Sequence, residues 1–139
     1  MSPDNVMVVR RAYEAFNRWA AQPGNASLRA ASEWLHPEVE FHTYATSPEA
    51  GVYRGREAAV AYNERLFEQF DSTRIELEEL LPAGDRVMVV SRQHAVPKAG
   101  AEAIVVQVIE VWTVRDDMLA ERRTFATREE ALEAVGLRG

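Results

Sequence analysis

The sequence predicts an α+β domain, with helices packed on one face of a curved antiparallel sheet. Three observations carry this expectation. Apolar residues recur at helical spacing near the start and again between residues 59 and 70. From Ile75 onward the chain reads as long strands joined by short turns. A capped helix follows the last of them.

Val6, Val9, Tyr13, Phe16 and Ala20 lie on one face of a first helix, with Ser2 as its cap and Pro3 at its first position. Gln22-Pro23-Gly24-Asn25 marks its end. A shorter helix is expected from about Ser27 to Leu35, closed by Pro37. Val39 to Thr43 alternates as a strand. Ala45 to Gly55 holds Pro48, Gly51 and Gly55 and reads as a loop. Ala59, Val60, Tyr62, Leu66, Phe67 and Phe70 form a third helical face. Strands follow around Ile75 and Leu77, from Arg86 to Val96, from Glu102 to Arg115 and from Met118 to Ala126. Asp116-Asp117 is a two-residue turn, since both residues tolerate positive φ. Thr127-Arg128-Glu129-Glu130 is a capping box opening a last helix. Gly136 ends that helix, with Leu137 folding back in a Schellman motif.

The 139 residues suit one domain, and 47% hydrophobic with 27% charged residues is the balance of a soluble globular chain. A net charge of −6 without a basic stripe argues against nucleic acid. With no cysteine, disulfides, thiolate metal sites and a cysteine nucleophile are excluded. No apolar run approaches the roughly 18–20 residues of a membrane span, and MSPDNVMVV lacks the form of a signal peptide. The expectation is a cytoplasmic protein without membrane partners.

The element order resembles that of the SnoaL-like family, of the nuclear transport factor 2-like superfamily. The segments that carry the resemblance are AYEAFN (12–17), LHPEVEFHT (35–43), GVYRG (51–55), AGDRVMV (83–89), VWTVRDD (111–117) and REEALEAVGL (128–137). It implies a single SnoaL-like domain over residues 1–139. The sheet would wrap around the helices as a cone with an internal pocket, a cystatin-like arrangement. Relatives of this fold include ketosteroid isomerase, polyketide cyclases, epoxide hydrolases and dehydratases.

Glu110 is the one charge within IVVQVIEVWTV (104–114). A carboxylate buried in a sheet must be paired, neutralised or facing a polar cavity. With a two-residue turn at Asp116-Asp117, Val114 faces Leu119, Trp112 faces Glu121, Glu110 faces Arg123 and Val108 faces Phe125. Arg123 is therefore the expected partner of Glu110. On the preceding strand Val87, Val89, Ser91 and Gln93 share the face of Glu110. Met88, Val90, Arg92 and His94 share the other face with Gln107, Ile109, Val111, Met118 and Ala120. The apolar patch of Met88, Val90, Ile109 and Val111 on that outer face suggests a homodimer interface.

Three catalytic patterns of the resembling families bear on these residues. The isomerase segment PIDHFRF is similar to VIEVWTV (108–114) and places its acid at Glu110. Its base position falls on Thr43, or on His42 with a one-residue slip. Its tyrosine falls near Ala12, with Tyr13 one residue away. Cyclases carry an acid on the last strand, where LAERRTF offers Glu121. The hydrolase Asp-Arg-Asp arrangement is matched in part by Glu110 and Arg123. None of the three is complete. His36, His42 and His94 have no short metal-ligand spacing, so neither metal nor other cofactor is expected. Ser91 has no histidine on its face to form a triad.

The expected ligand is a small apolar or polycyclic molecule. Glu110, Arg123 and His42 are the candidate catalytic residues. Tyr13, Phe16, Phe41, Thr43, Tyr62, Val89, Ser91, Val108, Trp112 and Phe125 are the candidate pocket lining. Two readings stay open: an isomerase, cyclase or dehydratase working by proton transfer, and a non-catalytic binding or scaffold domain. A second ionisable group on the cavity side, within about 6 Å of Glu110 and distinct from Arg123, would favour the enzyme, and a cavity filled by side chains would favour the scaffold.

Overall fold

The structure is a computed structural model and describes residues 2–21, 32–43, 51–98 and 102–137. Its elements are α1 (Ser2–Ala20), β1 (Leu35–His42), β2 (Val52–Arg54), α2 (Arg56–Phe67), β3 (Phe70–Ala83), β4 (Arg86–Pro97), β5 (Ile104–Arg115), β6 (Met118–Phe125) and α3 (Arg128–Ala134). The six strands form one unclosed sheet in the order β2-β1-β6-β5-β4-β3. Every pairing is antiparallel except β1 with β6.

The α+β expectation holds, with local differences. Leu35 opens β1 rather than ending a helix, and Pro37 lies inside that strand. Proline has no N–H for the ladder, and the pairing of β1 with β6 shifts between Leu35 and Glu40, around it. The segment expected to be a loop contains β2, and Phe70 opens β3 rather than extending α2. Residues 27–31 of the expected short helix, the stop at residues 22–25 and the side chains of Ser2 and Pro3 lie outside the described residues.

Two apolar layers flank the sheet. On the inner face, α1 and α2 bury Val9, Tyr13, Ala59 and Val60 against Val39, Phe41, Val87, Val89, Trp112 and Leu119. Asn17 clamps α1 to β3, because its side-chain amide exchanges two 2.8 Å hydrogen bonds with the backbone of Ile75. On the outer face, Ala131 and Leu132 of α3 cover Met88, Val90, Ile109 and Val111. The outer patch is therefore buried within the chain itself, which corrects its reading as an exposed dimer surface. Arg128 at the start of α3 holds Glu79 of β3 through two bonds, 2.7 and 2.9 Å.

Both ends of α3 follow their sequence signals. Thr127 Oγ accepts from the Glu130 N–H, and Leu137 N–H reaches back to Leu132 at 2.8 Å with Gly136 at φ 81°. Asp116 and Asp117 have φ of 55° and 58°, the left-handed pair that a tight hairpin turn requires.

One register detail positions the site. Val114 pairs with Leu119 as expected, but Thr113 then pairs with Glu121 rather than Ala120. Ala120 is the extra residue of a β-bulge. Beyond it Trp112 faces Arg122 and Glu110 faces Thr124. A one-residue slip exchanges the faces of every later side chain in the strand. Arg122 consequently turns inward, while Arg123 and Phe125 turn outward. The bulge overturns the expected Glu110–Arg123 pairing.

Candidate functional site

A cavity of about 80 Å³ opens between α1, α2 and the inner face of the sheet. Glu110 and Trp112 reach it from β5, Arg122 from β6, Phe41 from β1, Tyr13 and Phe16 from α1, and Asn63 and Phe67 from α2. The alternation of β5 directs Glu110 inward together with Trp112, and the helical spacing of α1 brings Tyr13 above them.

Glu110 is 5% exposed. The Tyr13 hydroxyl donates to its Oε1 at 2.6 Å, and Trp112 Nε1 donates to the Tyr13 oxygen at 2.9 Å. Tyr13 thus spends its one proton on the carboxylate. Burial, the charge of Glu110 and this hydrogen bond push the Tyr13 phenol well above its ordinary value of 10.0; Trp112 and Arg122 oppose the shift. Arg122 Nε lies 3.5 Å from Glu110 Oε2. The contact pairs the charges but is too loose for a hydrogen bond, and Arg122 Nε is buried with no hydrogen-bond partner among the described residues. The guanidinium lies 4.0 Å from the centroid of the Phe41 ring and 5.8 Å from that of Tyr62, a cation–π arrangement.

The attraction between two charges 3.5 Å apart is about 5 kcal/mol at an effective dielectric of about 20. Desolvation offsets it by several kcal/mol per ion. The pair therefore adds little net stability, while removing either partner strands the other.

The expected site residues divide into three groups. Glu110, Tyr13, Phe16, Phe41 and Trp112 line the cavity. Tyr62, Val89 and Ser91 are buried, and Val89 and Ser91 lie on the inner face beside Glu110 and Val108, but none of these four beyond Glu110 reaches the cavity wall. Ser91 is fully buried, and its Oγ has no hydrogen-bond partner among the described residues. Thr43, Phe125, Arg123 and His42 lie elsewhere. Thr43 Oγ bonds the backbone of Gly51, and Phe125 packs in the outer layer with α3. Arg123 bonds Glu121 at 3.2 Å. His42 Nε2 lies 3.1 Å from Glu40 and 3.4 Å from Glu121. Phe41 points into the core, so alternation turns its neighbour His42 to the opposite face of β1.

Glu40, His42 and Glu121 bring their ligating atoms within 4.8 Å of one another. No short sequence spacing announces this group, because Glu121 arrives from a different strand. Arg54 and Arg123 already contact the two carboxylates. The hydrogen bond with His42, aided by Arg54, holds the Glu40 carboxyl below its ordinary value. His36, expected at a helix end, sits in β1, 3.4 Å from Asp116.

Arg122, Asn63 and Phe67 are among the wall residues absent from the expected lining. Arg122 stands next to Arg123, and alternation from the turn selects the wrong one of the two. Asn63 lies four and three residues after the buried Ala59 and Val60 of α2, the helical spacing that puts it on their face.

The SnoaL-like domain family matches residues 9–122. Among curated proteins none matches the chain. Solved structures share the architecture. Bal32a from a soil-derived mobile gene cassette has a TM-score of 0.73 and 24% identity, covering 89% of each chain. A candidate SnoaL-like polyketide cyclase from Jannaschia sp. CCS1 has a TM-score of 0.71 and 26% identity, over 96% of this chain and 92% of that one. A protein of ketosteroid isomerase-like fold from Catenulispora acidiphila, in complex with trimethylamine, has a TM-score of 0.64 and 16% identity, over 89% and 93%. With the α+β sheet, the inner cavity and a family match spanning most of its length, the chain belongs to the SnoaL-like domain family.

Proposed function

We propose that the chain is a single-domain enzyme that binds a small, largely apolar molecule in the cavity and moves a proton on it, as an isomerase, cyclase or dehydratase does. The observation that carries this reading is the carboxylate of Glu110, buried on the cavity wall between Tyr13 at 2.6 Å and Arg122 at 3.5 Å. Glu110 is the proton carrier. Tyr13, its proton already committed, orients the carboxylate. Arg122 takes the role first expected of Arg123: it balances the charge and offers an unspent donor to a developing oxyanion. His42 has no part in this step, since its ring is on the other face of β1. The cysteine-free composition suits a cytoplasmic setting.

The test is proton exchange into small ketones in deuterated water, followed by NMR. Wild-type protein should accelerate exchange, and Glu110→Gln should abolish it. The double replacement Glu110→Leu with Arg122→Leu should regain much of the stability without the activity. Exchange unaffected by Glu110→Gln would refute the role of Glu110.

A non-catalytic binding or scaffold domain is the second reading, and the cavity's size favours it. An engineered cavity of about 150 Å³ holds benzene, and the 80 Å³ here is smaller. A polycyclic ligand would have to extend through the mouth. Under this reading the double replacement keeps both its stability and its ligand.

A homodimer through the outer face would use the strip that α3 leaves open, which carries Val96 at 36% and Val105 at 55% exposure. Light scattering should give twice the 15.7 kDa chain mass, reverting to one with Val105→Glu. A wild-type monomer would exclude it.

A further inference from the structure

Across the sheet from Glu110, the outer face of β1 and β6 carries a second cluster. Phe41 points into the core, so Glu40 and His42 project from the opposite face. Glu121 is paired directly with Glu40 across the parallel strands. Among the described residues, these three form the one group of possible metal ligands, with ligating atoms within 4.8 Å of one another. Like charges on directly paired strand positions repel, so two carboxylates here need a cation between them. The arginines at hand sit at the rim. Arg54 contacts Glu40 at 3.4 Å and Arg123 contacts Glu121 at 3.2 Å, with side chains 72% and 50% exposed. Pairs of that kind are weak and easily released. His42 Nε2 faces both carboxylates, 3.1 Å from Glu40 and 3.4 Å from Glu121. It carries at most one proton, which serves one carboxylate and leaves the other facing it.

A dication would serve all three atoms at once. Zinc binds imidazole nitrogen and carboxylate oxygen at about 2.0–2.2 Å, which sets tetrahedral donors roughly 3.3–3.6 Å apart. The two nitrogen–oxygen separations, 3.1 and 3.4 Å, are close to that edge. Rotation of one carboxylate closes the third. Two carboxylates neutralise the ion, and the imidazole favours zinc over magnesium, which takes oxygen. Glu40 and Glu121 also border an open groove of about 700 Å³, which admits the ion and leaves its fourth position to water.

We propose that Glu40, His42 and Glu121 form a zinc-class metal site on the outer face of the sheet, independent of the cavity. Calorimetric titration of the intact, metal-free protein with zinc chloride tests it, with magnesium chloride as the comparison. One zinc should bind per chain, at least tenfold more tightly than magnesium. His42→Ala should weaken zinc binding at least tenfold, a loss that even an outer partner of a ligand can cause. Glu121→Gln keeps the side-chain shape and should weaken it likewise, which guards against a histidine variant that fails to fold. Arg54→Ala with Arg123→Ala removes the competing cations and should tighten binding by up to about fivefold for each arginine. His94→Ala should change nothing, although His94 meets Glu76 at 3.0 Å elsewhere on the sheet. No zinc binding, affinity unchanged by both His42→Ala and Glu121→Gln, or magnesium bound as tightly as zinc would each overturn the site.

Discussion

Replacing Arg122 with leucine tests the strand register and the buried pair together. The side chains of Arg122 and Glu110 are 11% and 7% exposed, and stranding a buried ion costs about 3–5 kcal/mol. Leucine also gives up the cation–π contact with Phe41, worth about 1 kcal/mol, though it keeps much of the apolar packing. Arg122→Leu should therefore lose about 3–5 kcal/mol, measured by urea unfolding followed through tryptophan fluorescence. The control is Arg123→Leu, whose half-exposed side chain contacts Glu121. It should lose no more than about 1 kcal/mol. If Arg123→Leu is the costlier change, the inward assignment of Arg122 is wrong.

Three further outcomes follow from the same contacts. Because the Tyr13 phenol is raised, its stabilisation is fully present below the ordinary tyrosine value of about 10 and is lost as pH rises beyond it; Tyr13→Phe should remove that alkaline step from the unfolding curve. Because Arg128 holds the Glu79 carboxyl below its ordinary value, that contact is present above about pH 4.3 and lost as pH falls through the lowered value; amide protection factors in α3, taken relative to intrinsic exchange at each pH, should fall in acid, and Arg128→Ala should abolish the dependence. Thr127→Ala should cost about 1 kcal/mol through the lost cap, and Leu132→Ala about 2–3 kcal/mol, since Leu132 is 4% exposed against the outer layer; equal and negligible losses from both would mean that α3 does not cover the sheet.

Much of the fold is legible because it is locally specified. The spacing of Val9, Tyr13 and Phe16, the paired aspartates of the turn and the Thr127 and Gly136 caps each act within a few residues. The faces of β4 and β5 are also legible, because unbroken alternation sorts Val89 and Glu110 from Val90 and Ile109. The bulge is not. LAERRTF places two arginines side by side after Glu121, so polarity cannot distinguish one register from the other. The destination of α3 was equally hidden, since its apolar stripe does not say which side of the sheet it will cover. Asn63 and Arg122 acquire their meaning only when two distant segments close on one cavity.

The extra residue in β6 bears on how relatives of this chain are compared. Without Ala120, unbroken alternation would bring Leu119, Glu121 and Arg122 into the pairings they already have with Val114, Thr113 and Trp112. A homologue one residue shorter at this point would display the same inward cation, and deletion of Ala120 should be gentler on the site than deletion of a residue beyond it. An alignment that counts positions from the hairpin without allowing a gap would equate Glu121 of this chain with the inward cation of such a homologue. Equivalence in this strand is a matter of orientation, so length variation here can be silent for chemistry while appearing in a sequence comparison as a lost residue.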